Sequence, residues 1–384
     1  MKSKPSAQQN PNKILIRSPN WIGDQILSYP FFYHLRKAYP KSQIAVSCVP
    51  WVRDVQFRNL INEVYVLPRP ENPSLLAKWK ALELGAEALR KEGPWDLGIC
   101  LPNSFSSAWL LYRAKVARRR GYSADGRGFL LHESLPWTKG DPISMGKQVS
   151  HRSEAYAQLL PREIQPIPNA QEFWGVYPLN ELDPKIPGVL NTFEVEKEWP
   201  QGPDSNVMSP PAEKYWVLAP GTTAESRRWP ASQFATLARR VADETGWTGV
   251  IVGGAAEGEV AKSLTENSSL KLLDWTAKGV VTSYSKIFQQ AQFTVCNDSG
   301  LAHLASLCGS SVYVVWGAGN PKRTEPIGPG KVNVIMNPVE CWPCESNICS
   351  QVPQKRLGCL KGISADDVWK EIKAGTANLN ASPK

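Results

Sequence analysis

Three short stretches bring together residue types suited to charged chemistry. The first is Ser18-Pro19-Asn20-Trp21-Ile22-Gly23-Asp24, a loop whose last residue opens a helix. A carboxylate there is favoured by the helix dipole, so Asp24 reads as a helix-start acid. The functional reading is a general base that takes a proton from a hydroxyl. The second is Gly221 to Trp229, GTTAESRRW, between a strand and a helix. Backbone N–H groups and the hydroxyls of Thr222 and Thr223 suit phosphate oxygens. Arg227 and Arg228 are either solvated surface charge or the cations that neutralise a diphosphate leaving group. The third is Asn297-Asp298-Ser299-Gly300, which ends a strand and begins a helix. Unpaired N–H groups and positive dipole character make that turn a seat for phosphate. Gly300 permits close approach of a ligand to the backbone. His303, one turn on, either reaches the same ligand or is a surface residue of an ordinary capped helix.

Gly253-Gly254 at another strand end is a further nucleotide signal, although no complete G-x-G-x-x-G is present. Cys341, Cys344, Cys349 and Cys359 form C-x2-C-x4-C-x9-C, compatible with a structural zinc site or with reduced thiols. No cofactor is expected. Arg113 to Arg127, RAKVARRRGYSADGR, interleaves cations with Tyr122 and follows Tyr112. It fits a solvated face, a nucleic-acid groove or a site for a phosphorylated glycolipid. In the last case Arg120 is the expected substrate contact.

The elements that must position these residues alternate between strand and helix. In the first half, strands are expected at Lys13–Arg17, Gln43–Cys48, Glu63–Leu67 and Asp96–Leu101, with strand and loop over Arg118–Leu131. Helices are expected from Asp24 through Ala38, and over Trp51–Leu60, Pro73–Lys91, Ser104–Val116 and His151–Leu160. In the second half, strands fall at Tyr215–Ala219, Gly249–Val252, Leu270–Asp274, Phe293–Cys296 and Ser311–Trp316. Helices fall at Ala231–Thr245, from about Glu257, at Ser283–Gln290, Leu301–Cys308 and Ser364–Lys373. This alternation predicts an α/β protein of doubly wound parallel sheets. Residues 1–12 read as disordered, and prolines cluster over 162–214. The expected division is an N-terminal Rossmann-like domain at 13–185, a linker at 186–214 and a C-terminal Rossmann-like domain at 215–384. Loops 18–24, 220–229 and 297–303 are then expected to face a central cleft.

Length and charge narrow the class. A chain of 384 residues with 42% apolar content builds two ordinary cores, and no apolar run approaches a membrane span. The polar N-terminus shows no secretory signal, which predicts a cytoplasmic protein. Residues 1–160 hold 23 Lys and Arg against 12 Asp and Glu, whereas 161–384 hold 21 against 23. The net charge of +9 therefore resides in the first half, which points to an anionic partner there.

KILIRSPNWIGDQILSYPFFYHLRKAYP, RRRGYSADGRGFLL, HRSEAYAQLL, RRWP and NDSGLAHLAS together resemble the ADP-heptose–lipopolysaccharide heptosyltransferases of glycosyltransferase family 9. The resemblance runs over about 13–160 and 215–370. Its most specific part is D-[ST]-G-x-x-H, and the W-I-G-D form is nearer the family's II branch. The resemblance implies a GT-B fold and metal-independent, inverting transfer of heptose from ADP-heptose to the lipopolysaccharide inner core. It implies Asp24 as catalytic base, Arg227 as the diphosphate-binding cation where other members carry Lys, and Asp298, Ser299, Gly300 and His303 as the lining of the donor site. It also implies peripheral contact with the anionic cytoplasmic membrane surface and no nucleic-acid partner. The competing readings are a related transferase with another nucleotide sugar or a surface-polysaccharide acceptor, and a non-catalytic nucleotide- or lipid-surface-binding protein.

Overall fold

The computed structural model describes residues 10–57, 59–70, 74–137, 151–164, 209–266 and 270–380. The chain divides into two compact units, Met1–Glu194 and Val195–Lys384. The division falls inside the expected linker, most of which, with most of the proline-rich stretch, lies outside the described residues.

The first unit is a sheet of six parallel strands: β1 (Lys13–Arg17), β2 (Gln43–Cys48), β3 (Glu63–Val66), β4 (Leu97–Cys100), β5 (Arg118–Tyr122) and β6 (Glu133–Leu135). Their spatial order is β3-β2-β1-β4-β5-β6. Connecting segments include α1 (Ile22–Leu27), α2 (Tyr29–Ala38), α3 (Leu75–Lys91), α4 (Phe105–Arg113) and α5 (Arg152–Ala157). The second unit repeats the plan with β7 (Tyr215–Ala219), β8 (Thr248–Ile251), β9 (Leu272–Asp274), β10 (Thr294–Asn297), β11 (Val312–Trp316) and β12 (Val332–Met336). Its order, β12-β11-β10-β7-β8-β9, is the same doubly wound arrangement read from the other edge. Its helices include α6 (Ala231–Thr245), α7 (Gly258–Thr265), α8 (Ser285–Gln290) and α9 (Gly300–Leu307), and a last helix covers Ala365–Asn380.

The central strands are uninterrupted apolar runs because both faces of each sheet are covered. Ile14, Leu15 and Ile16 are fully buried, as are Val217, Leu218 and Ala219. One core gathers Leu15, Leu89, Trp95, Leu110 and Val116. The other gathers Trp216, Trp229, Phe234, Val295, Tyr313 and Trp369.

Several expectations are corrected. The helix expected from Asp24 through Ala38 is two helices meeting at Ser28, because Pro30 falls in the first turn of α2 and supplies no N–H. Trp51–Leu60 is not a helix beyond one short turn at Pro50–Val52. Residues 1–12 are not wholly unstructured. The Asn12 N–H donates to Asp96 Oδ2 at 2.7 Å, and its carbonyl accepts from Gln43 N at 2.8 Å. Residues 1–9 lie outside the described residues. Edge strands β6 and β12 were not expected.

His34 in α2 is buried, and burial beside Lys37 pushes its imidazole down to about 4. A depressed folded-state value means that only the unfolded chain takes up a proton as pH falls from about 6.5 towards 4. The stability concerned is full above that window and is lost within it. We expect urea denaturation of the first unit to show a loss of about 1 kcal/mol at pH 5 relative to pH 7.5, after discounting for solvent near the ring. The loss should be absent in His34→Gln. An unchanged pH slope in that variant would assign the loss to other groups.

Candidate active site

In the first unit, Asp24 rises from the carboxyl edge of the sheet where β1 and β4 send their chains to opposite sides. Ligands of doubly wound folds bind at such switch points. The 18–24 loop is braced from below by Arg17, the last residue of β1. Its Nη2 donates to Asn20 Oδ1 at 2.6 Å, and its Nη1 bonds the Ser18 carbonyl and, at 3.4 Å, the Ser47 carbonyl. Burial pushes the Arg17 guanidinium down to about 10, which leaves it cationic at neutral pH. Trp51 Nε1 donates to the Asn20 carbonyl at 2.6 Å, and Ser18 Oγ donates to buried Gln25 Oε1 at 3.0 Å. Asp24 sits in the first turn of α1, half-buried.

Two residues of α5 address the Asp24 carboxylate. Arg152 Nε lies 3.7 Å from Oδ1. The buried Tyr156 hydroxyl hydrogen-bonds to Asp24, and burial with that negative neighbour holds the phenol well above its ordinary range. Tyr156 therefore stays protonated and donates. The α5 start is fixed by a capping box between His151 and Glu154. Arg152 and Tyr156 were missed as site residues. The available signal was the H-R-S-E helix start with Tyr four residues after Arg, which sets both side chains on one helix face.

Arg120 is placed differently from expectation. It is buried, with Nη1 2.6 Å from Glu133 Oε2, Nε 2.9 Å from the Leu159 carbonyl and Nη2 3.3 Å from the Gln158 carbonyl. Those bonds join β5, β6 and the end of the α5 segment. The Arg120 guanidinium is thereby spent on tying these elements together and is 4% exposed, which leaves it a structural tie.

In the second unit the switch point lies between β7 and β10, and the loops after both strands meet there. Asn297 fastens them. Its Nδ2 donates to the Pro220 carbonyl at 2.6 Å, and its Oδ1 accepts from Trp229 N at 3.0 Å. The whole 220–229 loop is thus pinned at both ends by one buried amide. Within it, Thr222 Oγ1 donates to the Asp298 carbonyl at 3.3 Å, and Arg228 Nη2 to the Thr222 carbonyl at 2.9 Å. Arg227 Nη1 lies 3.3 Å from Oδ2 of buried Asp298. Arg227 Nε and the Ser299 hydroxyl are buried polar atoms with no hydrogen-bond partner among the described residues. Such atoms suit a polar ligand. Thr223 is exposed, Gly300 begins α9, and His303 is buried in that helix, not on the surface.

Gly253 and Gly254 form a second edge of this site. The Gly253 carbonyl accepts from Tyr284 Oη at 3.0 Å, and Gly254 N donates to Glu257 Oε2 at 2.7 Å. A Cβ on Gly221 would lie 2.6 Å from the Glu257 side chain, so Glu257 packs flush on the first glycine of the 221–229 loop. Glu257 is a residue of this site that sequence reasoning did not select, and the bracing role of Asn297, read from sequence only as part of the turn, emerges with the fold.

The cysteine segment buttresses the same loop. Arg356 Nη2 grips both Glu225 oxygens at 2.7 and 2.8 Å, and Cys349 N donates to Glu225 Oε2 at 3.3 Å. Ser226 N donates to the Asn347 carbonyl at 3.2 Å, and Ser226 Oγ to that of Ser346. Cys341, Cys344, Cys349 and Cys359 are free thiols. Burial and the neighbouring sulfurs push the Cys359 thiol up. Among the described residues no three His, Cys, Asp or Glu side chains form a group that could hold a metal ion.

Residues 86–354 match the family model "Glycosyltransferase family 9 (heptosyltransferase)". The chain belongs to glycosyltransferase family 9. It is 26% identical over 334 residues to lipooligosaccharide heptosyltransferase 2 of Haemophilus ducreyi, covering 84% of this chain and 88% of that one. Its fold is similar to that of ADP-heptose lipopolysaccharide heptosyltransferase II of Escherichia coli, with TM-score 0.69 and 21% identity, over 96% of this chain and all of that one. It is also similar to an E. coli heptosyltransferase solved with ADP, with TM-score 0.63 and 18% identity, over 94% and 99%. The family 9 protein is accordingly a glycosyltransferase of GT-B fold, with both units built on parallel sheets.

Proposed function

We propose that this enzyme moves heptose from ADP-heptose to the inner core of lipopolysaccharide, with inversion at the anomeric carbon and without a metal ion. The observation that carries the reading is the Arg227–Asp298 pair, seated where two strand-end loops meet at a helix start. The relatives named for heptose transfer to lipopolysaccharide, and the neighbour solved with ADP, support the donor and acceptor.

In this reading the diphosphate lies on the 298–300 turn, with the Thr222 and Thr223 hydroxyls and the Ser299 Oγ beside it. The Gly253-Gly254 strand end and His303 border the donor. Arg227 faces the phosphates, and Asp298 holds it there. Asp24 takes the proton of the acceptor hydroxyl, whose oxygen attacks the anomeric carbon opposite ADP. The bond from that carbon to the phosphate oxygen breaks, and its electron pair leaves with ADP. Arg227 meets the charge that develops on the leaving diphosphate, the place a divalent metal takes in other transferases. Positioning of the two reactants supplies most of the rest. Working on a lipid-borne acceptor, the enzyme acts at the cytoplasmic face of the membrane. The basic first unit meets the acidic acceptor there, and nucleic acid has no part in the reaction.

Incubation of the full chain with heptose-bearing acceptor and a panel of ADP-, UDP- and GDP-sugars tests the reading. We expect acceptor-dependent ADP release from ADP-heptose alone, at a rate indifferent to EDTA, and a product of opposite anomeric configuration by NMR. A UDP- or GDP-sugar preference, loss of rate in EDTA, or a retained configuration would overturn it.

A further inference from the structure

The outer end of α3 is built unlike an ordinary surface helix. Leu67, just after β3, packs against Gly85, ten residues into the helix. At 1.5 Å per residue the first turns of α3 therefore run roughly 15 Å past the carboxyl end of β3. The buried residues of α3 begin only at Ala81. Beyond that point Leu75 is 86% exposed and Leu76 80%, with Trp79 also exposed on the same side. The Trp79 ring lies 5.3 Å from Trp109 of α4, which continues to Tyr112 at 5.5 Å and Phe105 at 6.1 Å. Phe105 leads to Phe129, 76% exposed, at 6.2 Å. The result is one unbroken apolar and aromatic band across α3, α4 and the turn after β5.

Cations rim the band. Lys78 and Lys80 are exposed on the projecting helix, Arg113 lies over Trp109, and Arg119 lies over Tyr112. The nearby acids are engaged locally: Glu83 by Trp109 and Arg113, and Asp125 by the Phe105 N–H. All six strands of this sheet are parallel, so the starts of α3 and α4 and the turn after β5 leave its carboxyl edge, the edge that also carries Asp24.

We infer that this band is the surface by which the enzyme docks on an anionic lipid bilayer, with Leu75, Leu76, Trp79 and Phe129 entering the interface. Exposed leucines beside Trp and Tyr with Lys and Arg interleaved are what a headgroup boundary accommodates. Each cation near an anionic surface adds to the attraction, and salt weakens it. A second copy would instead set two basic rims against each other. The inference rests on the proposed glycolipid acceptor for its purpose: docking at the Asp24 edge presents a membrane-borne hydroxyl to the base.

Co-sedimentation of the full chain with vesicles of phosphatidylcholine, alone or mixed with phosphatidylglycerol, tests the inference with neither donor nor acceptor present. We expect binding to the mixed vesicles that weakens with salt. We expect Leu75→Glu/Leu76→Glu to bind at least ~10-fold more weakly with an unchanged melting temperature, because neither side chain is packed. Equal binding by the variant, or no binding by the wild type, would overturn the inference. So would a concentration-dependent dimer that the double variant disperses, since the band would then be a self-association face. Failure of heptose transfer with vesicle binding intact would strike the transferase reading alone.

Discussion

Asp24→Asn should lower kcat for heptose transfer by about 10³-fold while leaving ADP affinity unchanged, since loss of a general base costs of order 10²–10⁴. The substitution keeps shape and one carbonyl oxygen, so the Tyr156 hydroxyl retains an acceptor. Structural cost is small: a first-turn acid contributes only ~0.3–1 kcal/mol to a helix. What disappears is the atom able to accept a proton from the incoming alcohol. The proposed ADP contacts all lie on the second unit, so calorimetry with ADP should not distinguish variant from wild type. A variant that transfers heptose at the wild-type rate would remove Asp24 from the chemistry and leave it a helix-start acid held by Arg152. Weakened ADP binding with unchanged kcat would make the same correction from the other side.

Much of this arrangement is legible in the chain because its physics is local. Tyr215–Ala219 and Ala231–Thr245 have the expected bounds, the first a continuous apolar run and the second an amphipathic helix ended by left-handed Gly246. The candidate loops were found because they follow such strands and precede helices. The failures are non-local. Trp51 to Leu60 has enough apolar residues for a helix, but its side chains are taken up elsewhere. Trp51 bonds the Asn20 carbonyl, Gln56 Nε2 lies 3.3 Å from Ser18 Oγ, and Phe57 stacks edge-on against Tyr29 and Phe32. Strands β6 and β12 are edge strands, only partly buried, and lack the run that marks β1 or β7. Arg120 was selected from a charge run. Its neighbour Arg118 and Arg120 itself both turn onto Glu133, a pairing that exists only once β5 and β6 are adjacent. The brace of Asn297 across 77 positions to Pro220 is equally invisible before folding.

Those braces bear on how the two halves of the chemistry are held. Arg17 and Gln25 fix the loop bearing Asp24, and Asn297, Glu225 and Arg356 fix the loop bearing Arg227. In each case a buried or bidentate polar contact stands directly behind the side chain proposed to act. A reactive group held this way loses little freedom on binding substrate, which is what rate enhancement by positioning requires.

Arg227→Ala should be the second large effect: a fall of about 10²–10³ in kcat/KM for the donor, the range found when one preorganised charge-stabilising group is removed. The leaving diphosphate gains negative charge as the glycosidic bond breaks, so a cation aimed at it acts more on the transition state than on the ground state. ADP affinity should therefore fall less than kcat. Arg227→Lys should recover part of the rate, because it restores the charge but replaces a planar fork with a point donor. Asp298→Asn separates charge from placement. The cation remains, yet the contact 3.3 Å from Nη1 loses its charge, and Arg227 can swing into solvent, since its side chain is already 32% exposed. We expect that variant to lose kcat with little change in ADP affinity. Should Arg227→Ala turn over as wild type while Asp298→Asn does not, the buried carboxylate and not the guanidinium would be the group the donor needs.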